Sequence, residues 1–253
     1  MYKGVRSRDR DKDELFTEIA RAGKRYPETK RVFLADADVM FQDFERLRET
    51  LERVNEAFPR LARVNTYANG SSILAKSVSE LETLKSLRLN TLYMGLETGD
   101  DGLLRAVGKR ESVPDMTRAA QTAMSCGLRM SVMILIGLGG RAGSARHAEK
   151  TAEAVSAMRP NILSALRFID VPGTSMPDYY EPLTEYEAVL ELKKMISLFD
   201  LDRTVFRANH SSNPIPLEGR FPRDKETLVR ELDMILLSGR ADKNGPGPMP
   251  LFL

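Results

Sequence analysis

Apolar residues follow two rhythms along this chain, and the two alternate. Residues 11–25 place Leu15, Phe16, Ile19 and Ala20 on one side of a predicted helix, with Pro27 just beyond its end. Residues 31–35 then form a short apolar run, a predicted strand ending in Asp36-Ala37-Asp38. A helix is predicted over 41–58, where Phe44, Leu47, Leu51, Val54 and Phe58 keep near-helical spacing ahead of Pro59. The pattern repeats: strand 63–67, helix 78–87, strand 90–96, a short helical segment, then helix 114–125 with Gly127 as its stop. Residues 129–136 are the most continuous apolar strand. Helix 142–158, strand 162–169, helix 184–199 and a last short strand 204–207 follow. Thr184 and Glu187 have the spacing of a capping box.

Strands and helices that alternate at intervals of about 30 residues give an α/β chain whose parallel sheet is covered by helices. There are too few strands for an eight-fold barrel, and the chain opens on a helix, so the first βα unit lacks its strand. Residues 1–200 are expected to form the barrel-like body and 201–239 an extension packed on it. Residues 240–253, rich in Gly and Pro, are expected to be a disordered tail.

Composition narrows the function classes. A hydrophobic content of 42% with 29% charged residues is globular. No apolar run approaches the roughly 20 residues of a membrane span, and the first residues are too charged for a signal peptide. One cysteine rules out an internal disulfide and suggests a reducing compartment, so a cytoplasmic protein is the expectation. A net charge of +2 and the lack of tryptophan give no indication of nucleic acid as a partner.

The polar residues that break the apolar runs cluster just after the strands, at the edge where parallel sheets build sites. Glu97 ends an apolar strand and needs a partner, either a ligand or Arg105 or Lys109. Asp38 can serve a ligand or cap the following helix. Gly137, Gly139 and Gly140 allow a close approach by a ligand, or simply a tight turn. Asn209 and His210 follow the last strand and can face substrate or serve the loop, whereas His147 is expected to be exposed at a helix start.

Five strand-end signals occur in order: DAD at 36–38, YANG at 67–70, GLETG at 95–99 with GKR at 108–110, GLGG at 137–140 and PGT at 172–174. Together they resemble the radical SAM superfamily, a partial (βα)6 TIM-like barrel. The nearest likeness is to the branch of oxygen-independent coproporphyrinogen oxidases, methylthiotransferases and the Elongator-type catalytic subunit. The resemblance implies S-adenosylmethionine and a 4Fe–4S cluster as cofactors, and a reductant such as flavodoxin or ferredoxin. The cluster cleaves the sulfonium reductively, and the resulting radical abstracts hydrogen from substrate. By this resemblance Asp36 and Asp38 meet the methionyl amino group and Glu97 the ribose hydroxyls. Lys109 or Arg110 meets the methionyl carboxylate, Gly137, Gly139 and Gly140 the adenine or ribose, and Thr174 the adenine. Tyr67 and Asn69 point toward the same mouth.

The sequence departs from the family at the cluster. Three cysteines spaced Cys-x3-Cys-x2-Cys are needed, because the iron is thiophilic, and this sequence has only Cys126. In such relatives a segment like Met1-Tyr2-Lys3-Gly4 follows the third cysteine, so the expectation is that Met1 is an internal methionine. Two other readings stay open. One is a cluster-free scaffold that binds S-adenosylmethionine or a partner. The other is an unrelated barrel enzyme that holds a phosphate at GLGG.

Overall fold

The structure, a computed structural model, describes residues 10–35, 38–170, 176 and 180–247. In chain order they form α1 (Lys12–Arg25), β1 (Arg31–Leu34), α2 (Phe44–Ala57), β2 (Arg63–Tyr67), α3 (Gly70–Leu74), α4 (Val78–Ser86) and β3 (Leu89–Glu97). Then come α5 (Asp101–Ala106), α6 (Val113–Ser125), β4 (Arg129–Ile136), α7 (Gly140–Met158), β5 (Ile162–Arg167), α8 (Glu185–Leu198), β6 (Val205–Ala208), β7 (Leu217–Arg220) and α9 (Lys225–Ser238). The seven strands make one sheet in the order of the sequence. β1 to β6 are parallel and β7 runs back antiparallel beside β6. The sheet is not closed, and β1 and β7 are its edges. Among the described residues no helix is long and apolar enough to cross a membrane.

Strand alternation sets the core. Leu92, Met94, Leu96, Val132 and Ile134 point under the helices and are fully buried. Each contributes roughly 1.5–3 kcal/mol by leaving water. Their neighbours Asn65, Tyr93, Gly95 and Met133 occupy the other face and are only half-buried. The β-α alternation thus forms one apolar layer against helices and one mixed layer away from them.

Several sequence expectations shift in detail. The predicted helix over 41–58 begins at Phe44, because Asp43 caps it by accepting the Arg46 N–H at 2.9 Å; Val39–Phe41 is a 3-10 turn. Three elements were not foreseen: α3, β7 and α9. β6 and β7 belong to the same sheet as β1–β5, so the chain beyond residue 200 extends that sheet. The expected tail does not leave the body at Arg240. Residues 240–247 run against the start of α8, where Glu185 N–H donates to Gly245 O and Tyr186 N–H to Asp242 O. The capping box at α8 is present: Thr184 Oγ1 accepts the Glu187 N–H, and Glu187 accepts the Thr184 N–H at 2.8 Å.

Candidate functional site

The C-terminal ends of β1, β2 and β3 bring three carboxylates and one lysine together. Asp38 follows β1 and is half-buried. Its oxygens accept the Asn69 side-chain amide at 3.0 Å and the Ser72 hydroxyl at 2.9 Å. It stands ahead of the 3-10 turn but makes no side-chain cap there, so its role is to hold the start of α3. Burial, and secondarily Glu111, push its carboxyl above the usual range, against the bonds from Ser72 and Asn69.

Glu97 ends β3 at a bulge, where the pairing with β4 slips between Gly95 and Glu97. Its φ of 65° is left-handed, a conformation that a non-glycine residue holds only at a cost. Such strain collects where a side chain must be aimed. Lys109 returns from α5 to donate to Gly95 O, and its Nζ stands 3.8 Å from Glu97 Oε1. Burial raises the Glu97 carboxyl, opposed by Lys109.

Glu111 completes the cluster, and the sequence reading missed it. Its Oε1 accepts the Ser71 N–H at 2.6 Å, and its Oε2 lies 4.0 Å from Lys109 Nζ. Oε2 is buried and accepts no hydrogen bond among the described residues. Only the return of the loop after α5 to α3 reveals it, forty residues from Ser71. Arg110 points to solvent and makes no ion pair among the described residues. Tyr67 is 39% exposed and packs edge-on with Phe33 and Tyr93 on the helix-free face. Asp36 and Thr174 lie outside the described residues.

The ends of β4 and β5 are built differently. Gly137 has φ 84°, and its N–H donates to Glu191 Oε1 at 2.6 Å. A Cβ at Gly139 would sit 2.8 Å from the His147 Cβ, and one at Gly140 would sit 3.0 Å from Glu181 O. The chain's own atoms therefore lie close against Gly139 and Gly140, where a larger side chain would not fit. Glu181 O also takes the Arg141 N–H, one of the first donors of α7. A cavity of about 210 Å3 lies next to the turn, lined by Gly137, Arg167, Tyr180, Leu183 and Ser212 among others. Asn209 and His210 are exposed beyond β6. His210 Nδ1 accepts the Ser212 N–H at 3.1 Å, and Ser212 Oγ accepts the Arg167 N–H. His147 contradicts the expectation of exposure: it is 1% exposed, two turns into α7, and hydrogen-bonded to Leu135 O.

Residues 2–144 match the pattern of the radical SAM superfamily, more than half of the chain. The chain belongs to the radical SAM superfamily. An uncharacterised protein of Methanopyrus kandleri is 29% identical over 136 residues, covering 53% of this chain and 25% of that protein. The heme chaperone HemW of Bacillus subtilis is 22% identical over 162 residues, covering 64% of this chain and 42% of HemW. This radical SAM chain thus spans less than half the length of either relative. Among solved structures, Elp3 of the archaeon Methanocaldococcus infernus superposes with a TM-score of 0.59 at 12% identity, over 87% of this chain and 59% of that one. The coproporphyrinogen III oxidase HemN of Escherichia coli gives 0.55 at 13% identity, over 89% and 44%. At such identities the likeness is one of fold.

Radical SAM proteins use S-adenosylmethionine and a 4Fe–4S cluster, and this chain's residues fit the two unequally. Asp38, Glu97 and Glu111 outnumber Lys109, and Glu111 Oε2 is a buried acceptor without a donor among the described residues. An ammonium supplies the missing positive charge and donors, and a sulfonium adds charge alone, so the cluster of side chains suits S-adenosylmethionine. The iron cluster does not fit. The sequence has one cysteine, Cys126, buried at the C-terminus of α6 and ahead of β4, at the strand end away from the site. Among the described residues no group of His, Cys, Asp or Glu is arranged to hold a metal.

Proposed function

We propose that this chain binds S-adenosylmethionine at the ends of β1–β3, as the cofactor-holding part of a radical SAM enzyme. One observation carries the reading: three carboxylates gather with a single lysine, and a buried oxygen of Glu111, 4.0 Å from that lysine, accepts no hydrogen bond among the described residues. Asp38 and Glu111 would accept from the methionyl ammonium. Lys109 would pair with the methionyl carboxylate, and Glu97 would accept from the ribose hydroxyls. The backbone strain at Glu97 supports an aimed side chain. When bound and reduced, S-adenosylmethionine supplies the hydrogen-abstracting chemistry of the superfamily. This chain's residues bind and orient it, and iron ligands would have to come from outside this sequence.

Calorimetric titration of the purified chain with S-adenosylmethionine tests the reading. Saturable binding is expected, weakened about tenfold, or about 1.4 kcal/mol, in Asp38→Asn and in Glu97→Gln. Binding that ignores both substitutions would sink it. A second reading, a cluster-free scaffold that binds the same cofactor, is favoured by the single cysteine. Anaerobic reconstitution with iron and sulfide separates the two: no 4Fe–4S absorbance is expected from this chain alone, and a stoichiometric cluster would overturn that. The phosphate-barrel reading is weakened because Glu181 O already takes the Arg141 N–H. Binding of inorganic phosphate without S-adenosylmethionine would revive it.

A further inference from the structure

We infer that Glu191 and His147 form a positioning pair, locking the loop after β3 and the turn after β4 into one unit while touching neither the carboxylate cluster nor its ligand. The inference rests on the reading that this edge holds S-adenosylmethionine.

Glu191 lies on the buried stripe of α8, between Ala188 and Met195, and its side chain is fully buried. A carboxylate there is costly unless donors surround it. Its Oε1 accepts the Gly137 N–H at 2.6 Å and its Oε2 accepts the Ser144 hydroxyl near the start of α7. His147 Nε2 stands 3.6 Å from Glu191 Oε1 and 2.9 Å from Leu135 O. A carbonyl only accepts, so Nε2 carries a proton. Nδ1 faces Thr98 Oγ1 at 2.8 Å. Thr98 Oγ1 already accepts the Asp100 N–H at 3.1 Å, which leaves its own proton for Nδ1. Thr151, one turn along α7, accepts the Gly99 N–H at 3.0 Å.

Two sets of bonds therefore meet on α7: Glu191 joins Gly137 to Ser144, and His147, one turn further along the same helix and in contact with Glu191 at 3.6 Å, bonds Thr98, the residue after Glu97. Thr98, His147, Thr151 and Glu191 are all at most 3% exposed. Replacing one member alone orphans its buried partners, whereas well-packed apolar residues in place of the whole network would be at least as stable, so stability alone does not call for the pair. What the polar pair adds is direction. It fixes the strand-end backbone beside Glu97 against the turn that borders the cavity at Gly137. Close-packed elements linked in this way shift together or not at all.

The test compares Glu191→Leu, Glu191→Gln, Thr98→Val and a control, Leu192→Ala, which is buried one position along α8. Affinity for S-adenosylmethionine is read by calorimetry, stability by thermal melting, and loop geometry by the amide resonances of Thr98, Gly99, Gly137 and Gly139. Glu191→Leu is expected to weaken binding about tenfold and to shift amides in both loops. Glu191→Gln keeps an acceptor for Gly137 and a partner for Ser144, so its affinity should stay within about twofold. Thr98→Val, nearly isosteric, should shift the Gly137 amide, which belongs to the other set of bonds. Leu192→Ala should lower the melting temperature and leave affinity unchanged.

The inference is overturned if Leu192→Ala weakens binding as much as Glu191→Leu, which would make the pair ordinary packing. It is equally overturned if amide shifts stay within the mutated loop, or if affinity ignores Glu191→Leu. If Glu191→Leu does not fold, Thr98→Val decides. If the unsubstituted chain binds no S-adenosylmethionine, the proposed function fails, and the amide shifts alone decide the coupling.

Discussion

Two clusters on the sheet's C-terminal edge, one in each half, treat polar atoms in opposite ways. After β1–β3, carboxylates outnumber their lysine, and a buried Glu111 oxygen accepts no hydrogen bond among the described residues. After β4, every polar group of the Glu191–His147 pair has a partner inside the chain. Unpaired buried acceptors lower stability and persist where something outside the chain completes them. Fully paired ones hold a shape. On the proposed function, the first cluster is the surface that binds and the second the frame that keeps it in place.

Substitutions should separate the halves sharply. The largest effect belongs to the frame. His147→Leu leaves the Thr98 hydroxyl and Leu135 carbonyl unpaired and should cost roughly 2–4 kcal/mol of stability, read by urea unfolding. A loss under about 0.5 kcal/mol would show that water or a neighbour replaces the imidazole with ease, and the contrast would collapse.

The binding half should respond in the other direction, and with a dependence on pH. Burial holds the Glu97 carboxyl above its ordinary value of 4.5. A raised carboxyl stabilises the fold while protonated; that contribution is whole below the unfolded value and is lost as pH rises through the folded one. Glu97→Gln should therefore raise the melting temperature at neutral pH by about 1–2 °C, with the gain vanishing near about pH 4. Scanning calorimetry at both pH values checks this. A lower melting temperature at neutral pH would mean that the attraction of Lys109 outweighs burial. The smallest effect is expected at Arg110→Ala, within about 0.5 kcal/mol for stability and without change in affinity for S-adenosylmethionine. A clear loss of affinity there would move the carboxylate contact from Lys109 to its neighbour.

The contrast between the halves also explains what could be read from sequence. Strands β2 and β4 have the predicted bounds: β4 is a long apolar run closed by Gly137, and β2 alternates buried and half-buried positions before Ala68-Asn69-Gly70. Asp38, Glu97 and Lys109 stood out as charged residues at apolar strand ends or beside a glycine. Glu111 gave no such signal, since its meaning depends on α3, a five-residue helix of Gly, Ser and aliphatic residues that is too short to show a period. β7 escaped for a similar reason: in Leu217–Arg220 only Leu217 and Gly219 face the helices. His147 and Glu191 did leave a trace. Each interrupts the buried stripe of its helix, with Thr151 one turn after His147 and Met195 one turn after Glu191. A charged or imidazole side chain on a core-facing stripe demands partners. Their identity, across 49 residues from Thr98 to His147, emerges only once the chain folds.

The bulge at the end of β3 has a consequence for the permitted length of this strand. Without the slip, Leu96 would pair with Ile134 and Glu97 with Leu135; with it, Glu97 stands opposite Ile134. The strand thus carries one residue more than its ladder uses, and that surplus sets the phase of the carboxylate. Deleting Leu96 would make the ladder continuous, yet it would remove a core side chain and turn the carboxylate toward the helices in its place. In this part of the chain, spacing carries as much information as residue type: a homologous strand with the same letters but one residue fewer would keep the fold's outline and lose its aim.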